Sequence, residues 1–197
     1  ARWAGACLLP FPHAPPRALP LWDPLLGATA AAPTRGLVVA RGTAHLMTQV
    51  SDAEALWRAA LLEGAAELGL SLAAERVEAY RRHFAVLLAH NLRAGLTTIT
   101  DPVEVAIKHF LDSLTGLLVR DIAPGERVAD IGSGGGFPGL VLALARPRAT
   151  FALIESSRKR AGFLGEAARV LRLPNVAVFA LRAEQAGKQP DHRESYH

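Results

Sequence analysis

A glycine-rich turn between a short apolar strand and a helix constrains the fold of this chain more than any other feature. The turn lies within residues 128–139, after a predicted strand over 127–131 and before a predicted helix over 137–145. Glycine lacks a Cβ, so the glycines at 132, 134 and 136 allow a sharp turn and close approach of the backbone to a ligand. The start of the helix directs N–H groups toward the same place. A strand, a glycine turn and a helix in this order predict a nucleotide-binding loop.

Strands and helices alternate after this turn. Further strands are predicted over 150–155 and 175–180, with a helix over 158–171 between them. This alternation favours an α/β fold with a parallel sheet and right-handed crossovers. Upstream, the apolar residues recur with a helical period and predict helices over 52–68 and 72–90.

A third upstream helix has a defined start. Asp101 suits the N-cap, Pro102 suits the first turn, and Glu104 can reach back to the cap. The apolar face predicted for this helix consists of Val103, Ile107, Phe110, Leu111, Leu114 and Leu118.

The spacing of the glycines separates two classes of cofactor. A dinucleotide loop needs a third glycine three residues after the second, to seat a pyrophosphate, and this chain has Phe137 there. An acid at position 130 is followed instead by glycines at 132, 134 and 136, which resembles motif I of class I methyltransferases. Their cofactor, S-adenosylmethionine, carries a positive ammonium and a sulfonium. Asp130 would attract those charges, whereas it would repel a pyrophosphate.

The next two strand ends carry residues that suit such a cofactor. Glu155 ends the second strand, where an acid in doubly wound folds accepts hydrogen bonds from the ribose hydroxyls. Residues 181–184 follow the third strand, where a methyltransferase fold usually meets the adenine ring. Each feature alone is typical of a solvated loop. Together, at the carboxyl ends of three successive strands, they predict a methyltransferase-type site.

The wider pattern resembles one family, RsmG, also called glucose-inhibited division protein B. The helix-borne Lys-His-Phe-Leu-Asp-Ser-Leu at 108–114 and the Gly-Phe-Pro-Gly turn at 136–139 are its most specific features here. The other matching segments are 96–102, Asp130 with the glycines that follow it, 155–156, 159–160, 163–164, 182–184 and 193–196. The resemblance implies a class I methyltransferase, with a Rossmann-like parallel sheet behind an N-terminal helical section. Such an enzyme moves a methyl group from S-adenosylmethionine to N7 of a guanine in the decoding-site loop of 16S rRNA.

The resemblance also implies site residues and partners. The cofactor-binding residues are Gly132, Gly134, Phe137, Ala183 and Glu184, with Glu155 as the ribose partner. No catalytic residue is nominated, because guanine N7 carries a lone pair and no proton. We expect a cytoplasmic monomer that acts on 16S rRNA or a small ribosomal subunit precursor, without a metal and without a membrane. The single cysteine fits a reducing compartment.

Residues 1–46 differ from the rest of the chain in their proline content. They hold seven of the 13 prolines, and proline at that density disfavours helix and sheet. Residues 51–54 form a capping box that opens a helix just after Met47. We therefore expect a disordered or non-native leader over 1–46 and a native start near Met47, with a basic arm for RNA as the rival interpretation. A helical section over 47–120 and the N-terminal half of the Rossmann-like domain over 121–197 would follow.

Two departures from the family pattern bear on activity. Gly95 stands where the family commonly has asparagine, so the role of that asparagine is open. The family continues with further strands beyond the position of His197, so we expect a truncated chain with an incomplete sheet and exposed apolar edges. An inactive fragment that binds the cofactor weakly, or only associates with RNA, is therefore one alternative. The others are a methyltransferase acting on another substrate and a dinucleotide oxidoreductase, which Phe137 disfavours.

Contacts with RNA have several candidates. Arg81, Arg82 and the basic residues at 158–160 carry charge that suits phosphate, although a solvated helix start is the preferred interpretation of 158–160. His109, Asp112 and Ser113 form a polar group at helical spacing. This group either shapes the site or contacts RNA, or it is a local hydrogen-bond cluster that holds the helix.

Overall fold

The computed structural model describes residues 41–197, and the side chains from residue 52 onward. The helices and strands in this part follow a helical section and then an alternating section. The helical section comprises α1 (Arg41–Glu67), α2 (Ala74–Ala94), α3 (Pro102–Val105), a π-helical segment (Ala106–Leu111) and α4 (Asp112–Val119). The alternating section comprises β1 (Arg127–Ile131), α5 (Gly139–Ala145), β2 (Thr150–Ile154), α6 (Arg158–Val170), β3 (Val176–Phe179) and α7 (Ala183–Ala186).

The first helix begins earlier than its sequence predicts. The predicted capping box at 51–54 is wrong, because α1 begins at Arg41 and runs without interruption through that segment. Alanine, leucine, methionine and glutamine, which favour helix, occur between residues 41 and 51, and their propensity outweighs the capping preference of serine. The helix therefore takes in residues 41–46 of the predicted leader. The rest of that leader lies outside the described residues.

The three strands of the described part form one parallel sheet in the order β1-β2-β3. This confirms the predicted strand–helix alternation, and each predicted strand end is right to within one residue. The register pairs Ile131 with Ile154 and Ile154 with Phe179, so the three carboxyl ends are level with one another. The loops that follow the strands therefore meet at one edge of the sheet. The helix predicted over 137–145 begins only at Gly139, because the turn extends through Pro138.

The helix that carries the Lys-His-Phe-Leu-Asp-Ser-Leu element has a different buried face from the one predicted. Its start agrees, since the Asp101 carboxylate accepts the Glu104 N–H at 2.9 Å. The Glu104 carboxylate pairs with Lys108 rather than with the cap. Across the π-helical segment the buried positions are five residues apart, from Val105 at the end of α3 to Phe110 and from Ala106 to Leu111.

That five-residue spacing corrects the predicted apolar face. A π turn adds one residue to the helical repeat, so a 3.6-residue period cannot be extended backward through it. Ile107 is 49% exposed, and Val105 and Ala106 take the buried positions instead. Leu118, near the end of α4, is 50% exposed, while its neighbour Leu117 packs on the core.

An aromatic cluster joins the two sections into one core. Trp57 from α1 stacks on Phe84 from α2 at 5.5 Å between ring centroids, and Phe110 packs edge-on against Trp57 at 5.2 Å. The Tyr80 hydroxyl donates to the Val141 carbonyl of α5 at 3.3 Å. Burying aromatic rings of this size contributes strongly to stability, and truncation of one to alanine typically costs about 3–5 kcal/mol. The helical section is thus packed directly on the helices that flank the sheet.

Candidate cofactor-binding site

The glycine-rich turn after β1 has the backbone conformation that its composition predicts. Gly132, Gly134 and Gly136 have φ angles of +79°, +51° and +86°, in the left-handed region that residues with a Cβ rarely adopt. The Gly132 N–H donates to the Ile154 carbonyl at 2.7 Å and ties the start of the turn to β2. The turn is therefore anchored to the sheet at the level where the strands end.

Asp130 holds the far end of the same turn. Its Oδ2 accepts the Gly139 N–H at 3.0 Å, at the first residue of α5. The side chain is 9% exposed, and burial raises the pKa of the Asp130 carboxyl above its usual value, with the nearby charge of Glu155 acting in the same direction. A Cβ on Gly139 would lie 2.5 Å from Asp130 Oδ2, which leaves room only for glycine at the last position of the Gly-Phe-Pro-Gly turn. Sequence reasoning gave Gly139 no such role.

Glu155 connects the turn to the second strand end, as its position predicts. The carboxylate is 3% exposed; its Oε2 accepts the Gly134 N–H at 3.0 Å and its Oε1 accepts the Ser157 N–H at 2.8 Å. A carboxylate has about four lone-pair sites, so these two bonds leave capacity for ligand hydroxyls. The structure thus brings Gly132, Gly134 and Glu155 together, while the contact of Glu155 with a ribose stays a prediction.

Phe137 is packed between aromatic and imidazole rings. His83 from α2 stacks on it at 4.8 Å and 21°, and His109 from the π-helical segment stacks on it at 4.6 Å and 16°. Phe110 meets the same ring edge-on at 5.3 Å. The half-buried Phe137 side chain therefore fastens the turn to the helical section, and its predicted contact with a cofactor stays a prediction.

His83 is a site residue that sequence reasoning missed. It is fully buried, and its Nε2 lies 2.9 Å from the Gly135 carbonyl in the middle of the turn. Desolvation by burial lowers the pKa of His83 to about 4. A signal for it did exist, since His83 lies three residues after Tyr80 and four before Leu87, at the helical spacing that puts it on one face of α2 with these two buried residues.

The predicted polar group of His109, Asp112 and Ser113, which spans the π-helical segment and the start of α4, does not form as a side-chain cluster. The Ser113 hydroxyl donates to the His109 backbone carbonyl, and the Asp112 side chain is exposed. The His109 ring turns instead toward Phe137, and its Nε2 lies 2.8 Å from the Thr97 hydroxyl. Burial lowers the pKa of His109, which favours its neutral form beside that hydroxyl.

The sequence of the chain matches a known protein family. Residues 76–197 match the model of the GidB family, described as rRNA small subunit methyltransferase G. The chain belongs to the GidB family. Together with the parallel sheet, this membership shows the α/β fold of class I S-adenosylmethionine-dependent methyltransferases, as predicted.

Curated relatives carry the same family description. The chain is 42% identical over 134 residues to the ribosomal RNA small subunit methyltransferase G of Pelotomaculum thermopropionicum, covering 68% of this chain and 56% of that protein. It is 51% identical over 127 residues to the one of Sorangium cellulosum, covering 64% and 53%. The chain thus spans about half the length of the curated relatives it matches.

A solved structure is also similar, though more distantly. It is a coclaurine N-methyltransferase bound to N-methylheliamine and SAH, with 17% identity, a TM-score of 0.36 and coverage of 71% of this chain and 50% of that one. A likeness at that level carries no weight for function.

The conformation of Gly95, the position where the resemblance implies an asparagine, suits either residue. Gly95 ends α2 in the left-handed conformation, with φ 59° and ψ 54°, and its N–H donates to the Asn91 carbonyl. Glycine and asparagine are the residues that most readily adopt this helix-ending conformation. The Asn91 side chain then holds the next turn by accepting from the N–H groups of Leu96 and Thr97. Glycine can therefore end α2 at position 95 in the same way as an asparagine would.

The remaining predicted site residues lie at the third strand end. Ala183 and Glu184 begin α7 just after β3, and both are exposed. The alignment of the strand ends puts this position on the same edge of the sheet as the glycine turn. Their contact with an adenine ring stays a prediction.

The basic candidates for RNA contact divide into two groups. Arg81 pairs with Glu54 and with Glu78, each at 2.8 Å, and its neighbour Arg82 is half-buried. The basic residues that open α6 (Arg158, Lys159 and Arg160) are exposed instead. Of the two groups, only the second presents exposed charge at the edge where Glu155 lies.

Between residues 41 and 197, no helix is long and apolar enough to cross a membrane. No group of three or more histidine, cysteine or acidic side chains in this same part of the chain is arranged to hold a metal ion.

Proposed function

We propose that this chain binds S-adenosylmethionine at the glycine-rich turn and belongs to an enzyme that methylates N7 of a guanine in 16S rRNA. The observation that carries the proposal is the hydrogen bond from the Gly134 N–H to the buried Glu155 carboxylate. It joins the turn after the first strand to the acid after the second, in a chain of the GidB family. A nucleoside cofactor needs this combination of a tight backbone turn and a sugar-binding acid.

The charges around the turn favour a cationic cofactor over a dinucleotide. Asp130 and Glu155 both lie beside the turn, and among the described residues they are bonded to backbone N–H groups rather than to cations. Their negative charge attracts the ammonium and sulfonium of S-adenosylmethionine and repels a pyrophosphate. The Phe137 ring, packed among histidines, also occupies the position where a dinucleotide loop has its third glycine.

The proposed reaction needs no general acid or base. Guanine N7 offers a lone pair without a proton, so transfer of the methyl group needs alignment and no general base. Alignment can supply on the order of 7–11 kcal/mol of the barrier. The residues around the turn suit that task, because Asp130, Glu155 and His83 are each held by a backbone group. We accordingly nominate no catalytic residue.

The proposed partner is 16S rRNA, as naked RNA or within a small-subunit precursor. The exposed Arg158, Lys159 and Arg160 suit its phosphates, because charge on the edge that holds the cofactor would meet the RNA beside its target base. We propose that the enzyme acts as a cytoplasmic monomer. We also propose the division into a helical section and a Rossmann-like section, with the helical section extended back to Arg41.

Transfer of a labelled methyl group tests the proposal. The chain is incubated with S-adenosylmethionine and 16S rRNA or small subunits, and methylated guanine is mapped by cleavage specific for N7-methylguanine. We expect label at guanine N7 in 16S rRNA and a loss of about tenfold or more for Glu155→Gln, since the amide carries no charge and offers fewer lone pairs to the ribose.

Glu166→Gln is the matched control, because Glu166 lies on α6 and faces His90 rather than the turn. It should leave the transfer unchanged. Label on another class of substrate, with none on rRNA, would favour a methyltransferase of the same fold with a different substrate.

A further inference from the structure

A buried imidazole from the helical section contacts the middle of the glycine-rich turn. His83 projects from α2 and is fully buried, with its Nε2 2.9 Å from the Gly135 carbonyl. A carbonyl oxygen only accepts hydrogen bonds, so Nε2 carries the proton and donates it. The same ring stacks on Phe137 and packs edge-on against Phe110 at 5.4 Å.

Packing alone does not account for a histidine at this position. The His83 Nδ1 is buried and has no hydrogen-bond partner within the described residues. Burying a polar atom without a partner costs free energy, and an apolar ring would stack on Phe137 without that cost. The group that distinguishes histidine from an apolar ring here is the Nε2 donor, and the Gly135 carbonyl is its acceptor.

The contact acts on the part of the turn that the sheet also holds. The Gly134 N–H donates to Glu155, and the carbonyl of the following residue, Gly135, accepts from His83. A Cβ on Gly135 would lie 3.1 Å from Leu87 Cδ1, and one on Gly136 would lie 3.2 Å from His83 Nε2. Helix α2 therefore packs closely against the turn that Glu155 also holds.

We propose that His83 is a positioning residue for the cofactor, which holds the turn in its binding conformation through the hydrogen bond from Nε2 to the Gly135 carbonyl. This inference rests on the proposed function of the turn. It assigns the helical section a part in cofactor binding in addition to its part in the core.

Two amide substitutions separate this role from packing. The Nε2 of glutamine can reach the place of the imidazole Nε2, whereas the Nδ2 of asparagine reaches only the place of Nδ1. We expect His83→Gln to bind S-adenosylmethionine within about threefold of the unchanged chain, and His83→Asn to bind about tenfold or more weakly, since it leaves a buried carbonyl without its donor. Calorimetric titration measures both, and thermal unfolding without ligand reports whether each variant is folded.

His90→Gln is the control, because His90 lies on the same helix but faces Glu166 of α6. Equal affinity of both His83 variants and the unchanged chain would overturn the inference, and so would an equal loss in both variants, which would mean that the imidazole acts by packing. If the unchanged chain binds no S-adenosylmethionine, the proposed function itself fails, and this inference fails with it.

Discussion

The acidic residues at the first two strand ends are bonded to the backbone. Asp130 accepts the Gly139 N–H, and Glu155 accepts the N–H groups of Gly134 and Ser157. Each carboxylate fixes a turn or a helix start and also leaves negative charge beside the turn. The sequence predicts the charge and its place at the strand ends. It does not predict which backbone groups the acids hold, because those bonds depend on how the turn closes on α5 and α6.

We expect the ionised Asp130 carboxylate to lower the free energy of unfolding and to strengthen cofactor binding. Burial raises the pKa of the Asp130 carboxyl, so ionisation of this group destabilises the folded chain. The protonated carboxyl contributes stability at low pH. This contribution is lost as the pH rises through the raised pKa. Asp130→Asn keeps an acceptor for the Gly139 N–H and removes the charge. We expect it to raise the free energy of unfolding at pH 7 by roughly 0.5–2 kcal/mol and to weaken S-adenosylmethionine binding about tenfold.

Urea unfolding at several pH values checks this expectation. The stability difference between Asp130→Asn and the unchanged chain should shrink as the pH falls and the native carboxyl becomes protonated. Asp52→Asn, an identical change at an exposed position of α1, should alter neither quantity. A less stable Asp130→Asn at pH 7 would mean that the ionised carboxylate stabilises the fold.

The helices and strands differ in how far their sequence determines them. The strands were predictable because each is a short apolar run bounded by turn residues. The helix over 102–119 was predictable as a helix, but its buried face was not. The π turn moves the buried face from Ile107 to Val105 and Ala106. Nothing in the local sequence pattern indicates this turn, because it depends on packing against α1 and α2. His109 reaches Phe137 from the same π-helical segment.

The end of α2 offers a test of the family departure at Gly95. No atom lies within 4 Å of a Cβ built there, so only backbone strain opposes a side chain. Gly95→Ala should cost about 1–2 kcal/mol, since its φ of +59° is unfavourable for alanine. Gly95→Asn should cost less than about 0.5 kcal/mol, because asparagine tolerates the left-handed conformation. Urea unfolding of the two variants side by side decides the matter, and equal losses would show that the position does not select for this conformation.

At the scale of the whole molecule, the helical section and the sheet share one core in the described residues, and both contact the glycine-rich turn. The sequence separates them into two sections because the apolar period changes near residue 120. The contacts of the helical section with the glycine-rich turn were not predictable, because they join residues far apart in the sequence. Examples are His83 with Gly135 and His109 with Phe137. At the far end, the His197 N–H donates to the Arg127 carbonyl of β1 at 3.0 Å and brings the end of the chain to the first strand.

The central claim is that the glycine-rich turn binds S-adenosylmethionine. Titration of the unchanged chain and of the Gly134→Val variant with S-adenosylmethionine and with NADH tests it most directly. Gly134 has a φ of +51°, which valine cannot adopt without strain, while Gly69→Val places the same strain, at φ +70°, in the loop between α1 and α2. We predict that S-adenosylmethionine binds and NADH does not, and that Gly134→Val abolishes binding while Gly69→Val preserves it. Binding of NADH, or undiminished binding of S-adenosylmethionine by Gly134→Val, would contradict the account.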